Sequence, residues 1–180
     1  MKNNNTNNTS NTKYCFTGEE KRVELPDGRN VVVKRIAALR TIKDNNNVIV
    51  ARPKEKGGWI GSENNLSEFG GAWVSDNAIV CDEAIVYQDG QVSDNAIVFH
   101  YGAVSGKAKV SGEAMIYEKG ILTGEAKMLD KSKLHGHAKI YGSAILTKNA
   151  NVASFYDICG DQTISSNLLP ESEDEAELGN

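Results

Sequence analysis

Three histidines and three cysteines are the side chains of this sequence that are best suited to chemistry. His135 and His137 are separated by a single glycine, and His100 stands well before them. A neutral imidazole can serve as a general base, and several converging imidazoles can bind zinc. The cysteines are widely spaced and odd in number, which indicates free thiols rather than a disulfide framework or a zinc site: Cys15, Cys81 and Cys159. What the histidines can do together depends on the fold that positions them.

The residues around the histidines follow a strict six-residue repeat. A small residue stands at every sixth position for fourteen hexads without an insertion: Ala72, Ala78, Ala84, Gly90, Ala96, Gly102, Ala108, Ala114, Gly120, Ala126, Ser132, Ala138, Ala144 and Ala150. An aliphatic residue follows each of them two places later: Val74, Val80, Val86, Val92, Val98, Val104, Val110, Ile116, Leu122, Met128, Leu134, Ile140, Leu146 and Val152. A fixed short period of this kind is typical of a solenoid.

The two fixed sites of each hexad predict inward-facing side chains. Residues two apart on a strand point to the same face, so both sites face a core and the site between them faces outward. The last two sites of a hexad, such as Asp76 and Asn77, suit a bend. The segment Val74–Val80 recurs letter for letter at Val92–Val98, so three hexads form one triangular coil of eighteen residues. The fourteen hexads then predict four to five coils, stacked about 4.8 Å apart in a prism roughly 22 Å tall.

This hexad resembles the repeat of left-handed parallel β-helices, in which a small residue is followed by any residue and then by an aliphatic one. The resemblance implies an all-β fold, a single-stranded left-handed parallel β-helix, although most parallel crossovers are right-handed. Three segments together resemble the YdcK-like hexapeptide-repeat proteins common in phages and prophages: residues 13–18, 33–40 and 57–74. The likeness covers about residues 13–153. That family carries a transferase label, which the resemblance ties to the fold rather than to shared catalytic residues.

Four segments are predicted along the chain. Residues 1–12 are nearly all Asn, Thr and Ser and are expected to form a disordered leader. Residues 13–71 are predicted to form a small N-terminal β cap and its junction, because a cap covers the open edge and core of the first coil. Residues 72–165 are predicted to form the β-helix. Residues 166–180 are expected to be a disordered acidic tail, solvated or with a peptide-like role.

The unbroken hexads place the histidines in regular coils rather than in an extruded loop. His135 falls at an outward site, and its neighbours at coil spacing are Tyr117, Phe99 and Cys81. The ring of His135 is therefore interpreted as one member of an external ladder of stacked side chains.

Two enzymatic alternatives stay open. Hexapeptide-repeat acyltransferases use a histidine base, so an acyltransferase-like enzyme would use His135 or His100. A metal site like that of γ-carbonic anhydrases needs three converging imidazoles, and His100 lies about two coils from the pair His135 and His137. No metal site and no cofactor are predicted.

One of the three outward faces is apolar. Six apolar side chains stand there on three adjacent coils and predict a partner-binding surface: Ile79, Cys81, Ile97, Phe99, Met115 and Tyr117. A contiguous apolar patch of several hundred Å² is larger than scattered surface residues require. Three occupants could cover it: the chain's own cap or tail, further copies in a dimer or trimer, or a foreign protein.

The net charge and the lengths of the apolar runs bear on whether the chain binds nucleic acid or a membrane. A formal net charge of −4 gives no general reason to expect nucleic-acid binding. No apolar run reaches the roughly 18 residues needed to span a membrane, and no charged-then-apolar leader opens the chain, so a cytoplasmic location in a bacterial host is expected. The predicted function is that of a non-catalytic, phage- or prophage-type scaffold. It would bind a protein partner or itself, for instance to inhibit a host defence protein.

Overall fold

The computed structural model describes residues 11–168, in which the regular secondary structure is almost entirely β-strand. The cap contains the longest strands: β1 (Tyr14–Glu24), β2 (Asn30–Ala38), β3 (Ile42–Lys43), β4 (Ile49–Ala51) and β5 (Lys56–Ile60). One 3-10 turn, Glu63–Asn65, follows them. Two-residue strands then recur at six-residue intervals: β6 (Trp73–Val74), β7 (Ile79–Val80), β8 (Ile85–Val86), β9 (Gln91–Val92), β10 (Ile97–Val98), β11 (Ala103–Val104), β12 (Lys109–Val110), β13 (Met115–Ile116), β14 (Ile121–Leu122), β15 (Lys127–Met128), β16 (Lys133–Leu134), β17 (Lys139–Ile140), β18 (Ile145–Leu146), β19 (Asn151–Val152), β20 (Asp157–Ile158) and β21 (Thr163–Ile164). The predicted leader and acidic tail lie mostly outside the described residues.

Strands three hexads apart pair in parallel and form the three sides of a β-solenoid. The sides are sheet A, with β5, β7, β10, β13, β16 and β19; sheet B, with β8, β11, β14, β17 and β20; and sheet C, with β6, β9, β12, β15, β18 and β21. In sheet A, Val98 is aligned with Val80 on one side and with Ile116 on the other. The all-β parallel architecture and its eighteen-residue register are therefore confirmed.

The solenoid has about six coils, more than the four to five predicted. An additional coil begins before the first hexad, where Ile60 of β5 pairs in parallel with Val80. Ile60 precedes its partner by twenty residues, whereas Val74 precedes its partner Val92 by eighteen. Two extra residues between β5 and β6 therefore break the hexad spacing, which is why the repeat does not reveal this coil.

The small and aliphatic sites form the core, as their alternation predicts. The aliphatic residues from Val74 to Val152 are at most 1% exposed, and burial of each such side chain stabilises the fold by roughly 1.5–3 kcal/mol. Small sites are needed where the chain bends inward. At Gly102 an added Cβ would lie 2.9 Å from Cγ1 of Val98 and 3.0 Å from the carbonyl oxygen of Ile116.

The bends form a hydrogen-bonded ladder of their own. The fifth site of every hexad from Asp76 to Gly160 has a positive φ, which Gly, Asn and Asp tolerate best. Where the fifth site one coil earlier is not glycine, the N–H of such a residue donates to the side chain there. Gly106 donates to Oε1 of Gln88 at 2.7 Å, for example. The polar bends thus link successive coils as well as facing water.

The cap continues sheet A beyond the first coil. β1 and β2 form an antiparallel hairpin, and β2 pairs antiparallel with β5. Buried polar residues fasten the cap to the coils: Nζ of Lys13 donates to the carbonyl of Ser67 at 2.9 Å, and Oδ1 of Asp89 accepts the N–H of Gly71 at 2.9 Å. Burial lowers the pKa of Lys13 to about 8. Polar groups buried in this way are tolerated because they are hydrogen-bonded.

Candidate functional site

His135 lies in a column of stacked rings on the outer face of sheet A. Its ring centroid is 4.5 Å from that of Tyr117 with the planes 7° apart, and Tyr117 is 5.3 Å from Phe99. Nε2 of His135 lies 3.0 Å from Oδ1 of Asn151, so Nε2 carries the hydrogen and donates it. Nδ1 lies 3.6 Å from Oε2 of Glu118. The interpretation of His135 as part of an external ladder is confirmed.

His100 joins the cap to the coils through both ring nitrogens. Nδ1 accepts the N–H of Glu118 at 3.3 Å, so Nε2 carries the hydrogen and donates to Oδ2 of Asp27 at 3.0 Å. Arg29 contacts the same carboxylate at 2.7 Å and contacts Asp82, on a coil, at 2.8 Å. Asp27, Arg29, Asp82 and His100 are named the hairpin latch. Because both nitrogens are engaged, His100 offers no free lone pair to a substrate proton.

The charges of the hairpin latch are mutually stabilised. Desolvation favours the neutral form of Asp82, but hydrogen bonds from Arg29 and from the backbone of His100 outweigh it and lower the pKa of Asp82. Desolvation also opposes ionisation of Asp27, and the hydrogen bonds from Arg29 again lower its pKa. Both carboxylates are therefore ionised at neutral pH and share one guanidinium. The latch holds the tip of the hairpin against the coils.

His137 lies on the bend between sheets A and B. Its ring is 5.1 Å from that of Phe155, with the planes 16° apart. A groove of about 410 Å³ on this bend is lined by His100, Tyr101, Glu118, Lys119, Gly136 and His137. The structure thus brings His100 and His137 to one groove, while His135 lies in the ladder of sheet A. Within residues 11–168, no three His, Cys, Asp or Glu side chains form a group that could hold a metal ion.

The predicted partner-binding face is not exposed at its centre. Ile79, Cys81 and Phe99 are at most 8% exposed and pack with Leu25 and Val33 of the cap hairpin. The other three residues of that prediction are half-buried: Ile97, Met115 and Tyr117. The reason is that the tip of the hairpin, held by the latch, folds back over sheet A. Burial there raises the pKa of Cys81 to about 12. Of the three occupants considered, the chain's own cap covers this face.

Exposed apolar side chains lie instead along sheet B and the bend beside it. Tyr101 is 60% exposed and Phe155 is 82% exposed, both at the sixth site of a hexad. The bend residues and the adjacent outward column of sheet B are named the sheet B surface: Tyr101, His137, Phe155, Ile85, Ala103 and Ile121. The sequence carried a signal for it, since Tyr101, His137 and Phe155 are separated by multiples of eighteen residues and so share one bend.

All three cysteines are free thiols, as their spacing predicts.

No protein-family model matches this chain, and no curated protein is significantly similar to it in sequence. In the part of the chain that the structure describes, no helix is long and apolar enough to cross a membrane.

Proposed function

We propose that the protein is a non-catalytic scaffold that binds a protein partner or further copies of itself. The observation that supports this proposal most directly is the sheet B surface, where Tyr101 and Phe155 are exposed on a regular, closely packed scaffold. Large aromatic residues are enriched at the energetic centres of protein interfaces, because they bury much area at a small cost in side-chain entropy. Their backbone is already ordered by the coil hydrogen bonds, which lowers the entropic cost of binding further.

The contacts of His100 and the regular coils favour binding over catalysis. A catalytic base needs a free lone pair, an orienting partner and room for substrate. His100 uses both ring nitrogens in the hairpin latch. The regular strands from β6 to β21 leave no extruded loop that could wall a substrate cleft.

An acyltransferase-like enzyme is the second candidate. One observation favours it: Nδ1 of His135 lies 3.6 Å from the carboxylate of Glu118, beyond hydrogen-bonding distance. This nitrogen carries no hydrogen when Nε2 donates to Asn151, so it is free to accept a proton. In this candidate His135 would be the base, in place of His100.

We further infer that the coils are left-handed and that the chain is related to the YdcK-like proteins of phages and prophages. The support is the resemblance of the hexads and of segments 13–18, 33–40 and 57–74. A phage- or prophage-type product that occupies a host defence protein in the bacterial cytoplasm would need a surface for contact and no catalytic centre.

The test compares variants of the sheet B surface with a matched surface variant. Tagged full-length protein is used to retrieve a partner from a bacterial host; the partner is purified and its affinity measured by calorimetry. Light scattering reports the mass of the protein alone. Tyr101→Glu combined with Phe155→Glu is expected to weaken partner binding or self-association roughly tenfold or more. Lys109→Glu with Lys127→Glu, on sheet C, also changes two exposed residues and is expected to change neither measurement.

His135→Asn distinguishes the two candidate functions. The variant cannot act as a base, so an acyltransferase-like enzyme would lose transfer from an acyl donor such as acetyl-coenzyme A. A scaffold would keep its affinity for the purified partner. If the Tyr101 and Phe155 variant binds and self-associates like the parent, the sheet B surface is not the interface and the scaffold proposal loses its support.

A further inference from the structure

A polar groove of about 440 Å³ lies on sheet C, beside the loop between β3 and β4. The loop contributes Asp44 and Asn46 to its lining, and the outward column of sheet C contributes Gln91, Lys109 and Lys127. The groove shares no residue with the sheet B surface, so a ligand bound there is independent of the proposed scaffold function.

Two lysines of the groove lie side by side on neighbouring coils. Lys109 of β12 is aligned with Lys127 of β15, and neighbouring strands of a sheet are about 4.8 Å apart. Both residues are exposed, and neither takes part in an ion pair with another residue of the range 11–168, whereas Lys107 pairs with Glu125 at 3.3 Å. Like charges directly opposite each other destabilise a sheet. An anion that contacts both ammonium groups would remove this repulsion.

The carboxylates at the cap end of the groove are bound to backbone donors. Oδ1 of Asp44 accepts the N–H of Asn46 at 2.9 Å. Asp89 is buried, and its two oxygens accept the N–H of Gly71 at 2.9 Å and that of Asn45 at 3.2 Å. The buried negative charge therefore lies one coil before the first of the two lysines and has its own partners.

We propose that this groove binds a small phosphomonoester, with the phosphate between Lys109 and Lys127 and a hydroxylated organic part toward the cap loop. A phosphate group carries about −1.5 to −2 charges at neutral pH and three acceptor oxygens, which matches two ammonium groups better than one carboxylate does. The volume of the groove lies within the range of small-molecule sites. The amide of Gln91 and the carboxylate of Asp44 can both accept hydroxyl groups of the organic part.

The length of the lysine column favours a single phosphate group over a nucleic-acid backbone. Gln91 is aligned before Lys109, and the apolar side chain of Ile145 is aligned after Lys127. The column therefore holds two cations and no more. A nucleic-acid backbone is bound through several cations along a row of phosphates, which this column does not provide.

NMR titration of the full-length protein with inorganic phosphate and with glucose 6-phosphate, at constant ionic strength, tests the proposal. The amides of Gln91, Lys109 and Lys127 are expected to shift saturably with both probes. Glucose 6-phosphate is expected to bind roughly tenfold more tightly, because its hydroxyl groups add hydrogen bonds. Lys109→Met with Lys127→Met is expected to weaken its binding roughly tenfold or more. Lys54→Met with Lys131→Met removes two exposed lysines outside the groove and should leave its affinity unchanged.

A further variant separates the two parts of the ligand. Gln91→Leu is expected to weaken the binding of glucose 6-phosphate and to leave that of inorganic phosphate unchanged, since the amide contacts the organic part. Urea unfolding should show that the variant without Lys109 and Lys127 is at least as stable as the parent, because the repulsion between two like charges is removed.

Three results would overturn the proposal. Saturable shifts could be missing in the parent protein, which would leave the groove without a phosphate site. The two double variants could weaken binding equally, in which case the net charge rather than the groove attracts the anion. Inorganic phosphate or a short single-stranded oligonucleotide could bind as tightly as glucose 6-phosphate, and the site would then not be one for a phosphomonoester.

Discussion

The carboxylate of Asp94 accepts the backbone N–H of Gly112, eighteen residues later in the same bend of the next coil, at 2.9 Å. In the neighbouring bend, Asp82 accepts the N–H of His100 at 3.1 Å, and His100 in turn accepts that of Glu118 at 3.3 Å. An imidazole nitrogen and a carboxylate oxygen thus do the same thing: each accepts the backbone N–H of the bend residue one coil later. A histidine that could be a catalytic base by its chemistry is a member of a structural ladder.

The effect of a substitution at His100 on stability should depend on whether the new side chain can accept the N–H of Glu118. His100→Asn is expected to lower the free energy of unfolding by only about 1 kcal/mol, because Asn tolerates a positive φ and places Oδ1 where Nδ1 was, so that only the hydrogen bond from Nε2 to Asp27 is lost. His100→Leu is expected to cost roughly 1–3 kcal/mol through the strained backbone and the lost acceptor. Urea unfolding of both variants measures the difference. Equal losses for Asn and Leu would contradict the role of Nδ1 as an acceptor.

The hairpin latch predicts a specific pH dependence. The pKa values of Asp27 and Asp82 are lowered in the folded protein, so their contribution to stability is present above the unfolded value of about 4 and is lost as pH falls through the folded values. Arg29→Met removes the hydrogen bonds that lower both pKa values most. Its thermal midpoint should lie below that of the parent at neutral pH, and the gap should close as the pH falls below about 4. Arg52→Met, at an exposed site in the cap, serves as the control. A gap that is constant with pH would contradict the assignment.

The burial of Lys13 predicts that the stability of the protein also depends on pH in the alkaline range. Its pKa is about 8 in the folded protein against an ordinary value of 10.5, so between these values the unfolded chain holds more protons than the folded one. Stability should therefore rise with pH across this window, by up to about 3 kcal/mol. Lys13→Met should flatten the rise, whereas Lys43→Met at an exposed strand position should keep it. Urea unfolding between about pH 7 and pH 10.5 measures both. An equal rise in all three proteins would show that Lys13 is not its source.

The coils could be predicted from sequence far more fully than the cap, for a physical reason. In a coil, every inward residue such as Val98 meets neighbours one period away, so local spacing defines its contacts. The contact between Arg29 and Asp82 joins residues fifty-three positions apart, outside any repeat. Nothing periodic marks Leu25 and Val33 as the residues that cover the apolar face. The side chains at the fifth site of the hexads recur every eighteen residues in the sequence. Their hydrogen bonds, however, depend on the positive φ of the bend, which the hexad alone does not reveal.

Substitutions in the core should lower the free energy of unfolding far more than substitutions in the bends. Val98→Asp or Ile116→Asp places an unpaired carboxylate between packed coils and is expected to cost several kcal/mol. Asn77→Ala removes an exposed bend side chain and Lys107→Ala a half-buried one, and each is expected to cost under about 1 kcal/mol. Thermal and urea midpoints compare the two classes. Equal shifts would mean that these side chains do not alternate between core and solvent.

Phe99 and Tyr101 provide the sharpest comparison, because they stand two residues apart on one coil in opposite environments. Phe99 is 2% exposed, beneath the cap hairpin, whereas Tyr101 is 60% exposed on the sheet B surface. Phe99→Glu is expected to cost about 3–5 kcal/mol, since it removes a buried ring and places a charge against Leu25 and Val33. Tyr101→Glu should cost under about 1 kcal/mol.

The readout for this pair is urea unfolding together with hydrogen exchange of the hairpin amides in residues 23–33. In Phe99→Glu these amides are expected to lose protection before those of the coils, because the hairpin packs on the substituted position while the coils keep their own core. Ser93→Glu, at a half-buried site on another face, is the second control and should leave both measurements unchanged. If Phe99→Glu instead unfolds like the parent and keeps its hairpin protected, the tip of the hairpin does not rest on Phe99. The apolar face of sheet A would then be open to a partner after all.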